Sequence, residues 1–165
     1  MKQLYVVLLA LTSALVSSAQ TEGASRLYGY VQKQTPGTIR VDDNGNERPR
    51  QPQYNYFIYL ASASKVHPTE IWINGEPHSL TVTQTPSPVQ YTNPNSGQTK
   101  PQTLVPKTDR KVLQLTPSAA GIEHHFAKTV TLASKNQVVV LYRVNDKWYY
   151  KTLSKLKELS PVMMQ

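Results

Sequence analysis

The alternation of apolar and polar residues predicts β-strands along most of this chain. The clearest stretch is Gln137–Thr152, in which β-branched and aromatic residues stand on both sides of Asn145-Asp146. Such residues fit a pleated, half-buried surface, and Asn and Asp tolerate the left-handed backbone that a tight turn needs. The stretch therefore predicts a β-hairpin with its turn at Asn145-Asp146.

A second hairpin is predicted around Asn74-Gly75, the strongest short turn signal in the sequence. Ile71–Ile73 would form its first strand and Leu80–Thr83 its return strand. Trp72 lies within the first strand. A large aromatic residue on a short strand is more often part of the core than a platform for a ligand, so we expect Trp72 to fill the core.

Three further segments have the composition of strands. Gln53–Ala61 carries apolar or aromatic residues on both faces, which indicates a central strand that is covered on both sides. Arg26–Lys33 contains Gly29, which indicates a bulge or a close backbone approach. Lys111–Thr116 alternates and should end at Pro117. The tail fits either a helical turn or a continuation of the last strand.

Seven or eight strands at intervals of about ten residues, with turn residues between them, predict an all-β fold. The expected architecture is a single antiparallel β-sandwich, for which an immunoglobulin-like arrangement is the best match to the number of strands. Residues 85–107 interrupt it with five prolines among polar residues. Prolines deny backbone donors to a sheet, so this segment is predicted to be an extended, mobile surface loop.

The N-terminus has the layout of a secretory signal peptide. A positive start is followed by the apolar run Leu4–Val16 and by small residues, which predicts cleavage after Ala19. Residues 20–25 would be a flexible leader, and residues 26–165 a single domain. The apolar run is short for a transmembrane helix, and no second run is long enough, so no transmembrane span is expected after cleavage.

The composition of the chain indicates in which cellular compartment it acts and which classes of partner it can bind. The chain has no cysteine and no Asn-x-Ser/Thr acceptor for a glycan, which favours a bacterial periplasm or cell envelope, or secretion, over a eukaryotic extracellular setting. The formal net charge of +8 favours contact with anionic surfaces. Nucleic acid is not an expected partner for an exported protein.

Catalytic motifs are missing from the sequence. It has no Gly-x-Ser-x-Gly turn, no cysteine nucleophile and no glycine loop for phosphate. The adjacent His124 and His125 would point to opposite faces of a strand, so both could not bind one metal, although either could join His67 or His78. We therefore predict no enzyme activity, no cofactor and no metal site.

Two functions are weighed against each other. The first is a non-catalytic exported module that binds another protein of the envelope through an exposed strand edge or the proline-rich loop. The second is a carbohydrate- or glycan-binding domain that stacks sugars on aromatic residues. A metal-dependent enzyme is a third alternative. The candidate contacts for a ligand or partner are Trp72, Trp148, Tyr149 and Tyr150.

Overall fold

The computed structural model describes residues 25–37, 40–48, 52–93, 100–120 and 127–164, and within them strands dominate. The strands are β1 (Arg26–Pro36), β2 (Arg40–Val41), β3 (Glu47–Arg48), β4 (Gln53–Ser62), β5 (His67–Ile73), β6 (Glu76–Thr85), β7 (Val89–Tyr91), β8 (Gln102–Val105), β9 (Lys111–Ala120), β10 (Val138–Val144), β11 (Lys147–Leu153) and β12 (Lys157–Met164). One short helix, α1, spans Ala127–Ala133. The predicted all-β class is confirmed.

Eight strands form one mixed sheet in the order β11-β10-β5-β6-β9-β4-β1-β12. All neighbours are antiparallel except β1 and β12, which run parallel. Two small pairs, β2–β3 and β7–β8, lie outside this sheet. The sandwich and its immunoglobulin-like form are not shown, because the long strands belong to one curled sheet.

Both predicted hairpins form, with left-handed turns, but in the second one Ile71–Ile73 pairs with Glu76–His78 and not with the predicted return strand Leu80–Thr83. Asn145 and Asp146 have φ of 46° and 63°, and Asn74 and Gly75 have φ of 51° and 87°. Two successive residues with positive φ give the turn whose twist matches that of the flanking strands. The turn residues therefore fix the pairing of β10 with β11 and of β5 with β6.

The sheet curls until the end of β11 lies against the first half of β1. β12 pairs with β1 only from Tyr30 onward, which leaves room beside the preceding residues. A Cβ atom on Gly29 would stand 2.6 Å from the terminal methyl carbons of both Leu153 and Leu156. Gly29 thus permits the close approach that the sequence predicted.

The inside of the curl holds the main hydrophobic core. Its members alternate along their strands and come from β1, β4, β5, β9 and β10 and from two connecting segments. The buried residues are Leu27, Ile58, Leu60, Val66, Ile71, Ile73, Leu115, Val138, Val140, Tyr142, Val144 and Leu156. β4 lies between β9 and β1 and is buried on both faces over its second half, as its sequence predicted.

Two elements cover the outer face of the sheet. The β7–β8 ribbon packs Leu104 and Val105 against Tyr30 and Tyr59, and the Tyr30 hydroxyl donates a 2.6 Å hydrogen bond to the Leu104 carbonyl oxygen. The ribbon lies within the segment predicted to be a mobile loop, whose residues 94–99 fall outside the described residues. At the other end of the sheet, α1 packs over β5 and β10.

Prolines did not end the strands where the sequence predicted. β9 continues through Pro117, beside a register shift in its pairing with β6. β12 continues through Pro161, also at a register shift. The tail is therefore a separate strand that pairs with β1, and neither a helical turn nor a continuation of the last strand. Ser25, the last residue of the predicted leader, is buried, and its hydroxyl lies 2.9 Å from that of Tyr142.

The predicted signal peptide lies outside the described residues. In the described part of the chain, no helix is both long and apolar enough to cross a membrane.

Candidate functional site

The four predicted contact residues do not share one surface. Trp72 is 4% exposed and packs with Val139 beneath α1, where its indole nitrogen donates a hydrogen bond to the Glu70 carboxylate. Tyr149 packs against the interior, with its ring 5.9 Å from that of Tyr142. The structure therefore places Trp72 and Tyr149 in packed surroundings.

Trp148 and Tyr150 share the outer face of β11, two residues apart. Trp148 is 41% exposed, but the Arg143 guanidinium lies 5.3 Å from the centre of its ring. The Lys128 ammonium lies 5.3 Å from the centre of the Tyr150 ring. Cations favour the electron-rich faces of aromatic rings, so each of these two rings already has a charged neighbour on a face that a sugar would need.

The described residues hold no group of three or more histidines, cysteines or acidic side chains placed to bind a metal ion. His67 lies at the exposed start of β5, and His78 is partly buried in β6. His124 and His125 fall outside the described residues. An open depression of about 410 Å³ is lined by Lys155, Leu156, Lys157 and Glu158.

Three tyrosines of the sheet, Tyr30, Tyr56 and Tyr59, have a raised pKa. Burial, and then the charge of Tyr30, raise the pKa of Tyr59. Burial, and then the charge of Tyr28, raise the pKa of Tyr30, and burial also raises that of Tyr56. These shifts follow from packing in the sheet, and no acid–base pair is formed among them.

The edges of the sheet differ in how they are protected. β11 is a terminal strand of the sheet and carries Lys147 and Lys151 on the same face as Tyr149, and lysines on such a strand discourage the addition of another strand. β12 contains Pro161, and the Asn93 side-chain amide donates hydrogen bonds of 3.0 and 3.1 Å to the carbonyl oxygens of Ser160 and Pro161. Both terminal strands therefore have charged residues, proline or side-chain partners at their edges.

β6 has an edge of a different kind. β5 pairs with β6 only through Glu76–His78, whereas β9 continues beside β6 as far as Thr85. Among the described residues, no strand pairs with the other side of β6 over Leu80–Thr85. We call this segment the free edge of β6. It contains neither charged residues nor proline.

The free edge of β6 is also accessible. Thr81, Val82, Thr83 and Gln84 are all exposed, and Val82 exposes 39% of its surface although it pairs with the fully buried Leu115. Unpaired strand edges present backbone N–H and C=O groups to which another chain can bind. Its chemistry is therefore that of a template for an additional strand.

Sequence reasoning named an exposed strand edge as a binding mode but did not identify β6. The available signal was the run Leu80–Thr85, which alternates threonine with other uncharged residues and lacks the lysines and prolines that guard edges. What could not be read from the sequence is that β5 stops pairing with β6 after three residues.

The chain was compared with protein families, with curated proteins and with solved structures. No protein family, no curated protein and no solved structure matches this chain.

Proposed function

We propose that this chain is a non-catalytic protein-binding module that takes up an extended segment of another protein by strand addition at the free edge of β6. The observation that carries the proposal is the exposed, uncharged and proline-free edge Leu80–Thr85, which pairs only with β9 among the described residues.

Strand addition at this edge would use both the backbone and the side chains. Outward-pointing backbone groups would exchange hydrogen bonds with water for bonds with the partner, each contributing on the order of 1 kcal/mol net. Alternate side chains, including Val82, would contact neighbouring residues of the added strand and so select its sequence. A partner with β-branched or small apolar residues is therefore favoured over a charged one.

The two terminal strands of the sheet support the proposal by contrast. An added strand beside β11 would meet Lys147 and Lys151, and one beside β12 would meet the hydrogen bonds from Asn93. Natural proteins use these features to prevent strand addition. The free edge of β6 lacks them, which is expected of an edge that is kept open for a partner.

The proposal includes an exported location. The signal-like N-terminus, the lack of cysteine and the net charge of +8 favour the envelope of a bacterium as the place where the module meets its partner. The partner we propose is thus another envelope protein.

The test is capture by a photo-crosslinker at Thr83 in the mature protein, in its native envelope, with the crosslinked partner segment mapped by mass spectrometry. Val82→Lys places a charge on the free edge, and Val130→Lys places the same charge on α1, where Val130 is 43% exposed. We expect one partner, crosslinked within an extended segment, to be lost with Val82→Lys and retained with Val130→Lys. Equal capture by both variants would overturn the proposal.

Carbohydrate binding is the second candidate, favoured by the exposed Trp148 beside Tyr150 on one face of β11. It is less well supported because Arg143 and Lys128 already lie over these rings. If it is correct, Trp148→Ala will abolish retention on a glycan array, whereas Val82→Lys will leave retention unchanged.

A further inference from the structure

We infer that the free edge of β6 is self-complementary and that, in the absence of its envelope partner, a second copy of this chain occupies it, paired antiparallel through a two-fold axis at Val82. This inference rests on the proposed function, because it concerns strand addition at the same edge. The free edge has a register that allows two-fold pairing, carries no charge and exposes its central residue, Val82.

An antiparallel pair of identical strands related by a two-fold axis must place each residue opposite one that points to the same face. An axis at Val82 meets this condition and sets Val82 opposite its own copy. It also sets Thr81 opposite Thr83 of the second copy, and Leu80 opposite Gln84. Threonine pairs are among the favourable cross-strand neighbours, and two valines opposite each other remove apolar surface from water.

The alternative axes fit the edge less well. An axis at Thr83 would set each Val82 opposite Gln84 and leave both valines facing an amide. An axis at Thr81 would extend the pairing to His78, which already pairs with Ile71 of β5. The axis at Val82 is therefore the one that buries the two exposed valines against each other while it uses unpaired residues.

The free edge of β6 contains no charged residue that would oppose such pairing. The chain as a whole, however, has a net charge of +8. Two copies repel each other at long range, and dissolved salt screens that repulsion beyond about 10 Å at 0.1 M. We therefore expect self-association to strengthen with ionic strength. An association that depended on ion pairs would weaken instead.

The natural absence of cysteine makes a direct test possible. Val82→Cys introduces a thiol at the proposed axis with little change in volume, and two such residues would lie opposite each other with their Cα atoms about 4.5–5.5 Å apart, within the range that a disulfide spans. Val130→Cys is the matched control, since Val130 is an equally exposed valine on α1. Mild oxidation should link Val82→Cys into dimers and leave Val130→Cys mostly monomeric.

Sedimentation equilibrium of the full mature chain measures the association itself. Val82→Lys sets two like charges directly opposite each other across the proposed axis, so we expect its dimer dissociation constant to rise at least tenfold. Val130→Lys should dimerise like the wild type. Circular dichroism of each variant checks that the strands are retained, and the cysteine pair tests the same contact without an added charge.

The outcomes separate the inference from the function on which it rests. A wild-type chain that stays monomeric, with no excess of linked Val82→Cys dimer over Val130→Cys, overturns pairing with a second copy. If the crosslinker at Thr83 still captures a different protein that Val82→Lys loses, strand addition stands with another partner. If that capture is also missing, both proposals fail.

Discussion

At the scale of single residues, Gly29 decides whether the sheet can close. It lies in β1 where the terminal methyl groups of Leu153 and Leu156 occupy the space that any Cβ would take. Glycine is required here because it has no side chain, and not for its backbone conformation, since Gly29 is not among the glycines with positive φ. Its role is therefore steric.

Gly29→Ala should lower the free energy of unfolding by about 1–3 kcal/mol, because the added methyl group must displace packed leucine side chains. Urea denaturation measures the effect. The double variant Gly29→Ala/Leu153→Ala removes one of the displaced side chains, so its cost should be less than the sum of the single variants. Strict additivity would show that the two sites do not touch.

Buried tyrosines make the fold sensitive to alkali. The pKa of Tyr59 is raised above its usual 10.0, chiefly by burial, so the folded state keeps this proton at a pH where the unfolded chain releases it. The stabilisation is complete below pH 10 and is lost as pH rises through the folded pKa. The same reasoning applies to Tyr30.

Tyr59→Phe should therefore flatten the decline in unfolding free energy above pH 10, because phenylalanine has no proton to lose. The measurement is urea denaturation at a series of pH values on both sides of pH 10. Tyr54→Phe, at a tyrosine that is 50% exposed, serves as the control. An unchanged slope for Tyr59→Phe would contradict the role assigned to this side chain.

At the scale of elements, local signals predicted the hairpins and most of the long strands. Asn145-Asp146 and Asn74-Gly75 adopt the turns that their sequences favour, since the turn residues themselves determine the backbone. α1 was missed because Ala127–Ala133 is short and contains two threonines and a valine, which have low helix propensity. It is stabilised by packing over Trp72 and Val139.

The β7–β8 ribbon was missed for a related reason. Its prolines and polar residues resemble a loop, but the adjacent apolar residues Leu104 and Val105 are almost completely buried against β1 and β4. The signal was present in that apolar pair. The surface against which it packs comes from strands far away in sequence, which local patterns do not reveal.

Leu104→Ala should cost about 2–5 kcal/mol of unfolding free energy, as expected when a fully buried leucine is truncated. Thr103→Ala, at the exposed neighbour on the same strand, should cost less than about 0.5 kcal/mol. Thermal and urea denaturation of both variants would measure this difference. Equal and small effects would mean that the ribbon is not part of the folded core.

At the scale of the whole molecule, the order of the strands could not be predicted. The parallel pairing of β1 with β12 joins the two ends of the described chain, and the curl brings Leu153 of β11 against Gly29 of β1. The free edge of β6 arises from the same geometry, because β5 and β9 border β6 over different lengths. The candidate contacts chosen from the sequence were aromatic, whereas the exposed edge is built mainly of threonine, valine and glutamine.

The most direct test of the proposed strand addition is amide hydrogen exchange of the labelled mature chain, measured residue by residue by NMR. Exchange rates would be recorded for the labelled chain alone and again with an excess of its binding partner. That partner is either unlabelled copies of the same chain or the protein identified by crosslinking at Thr83. We predict that the amides of Leu80–Thr85 that point away from β9 exchange rapidly in the chain alone and become protected in the complex. Protection that appears along Lys147–Leu153 instead, or nowhere in β6, would contradict it.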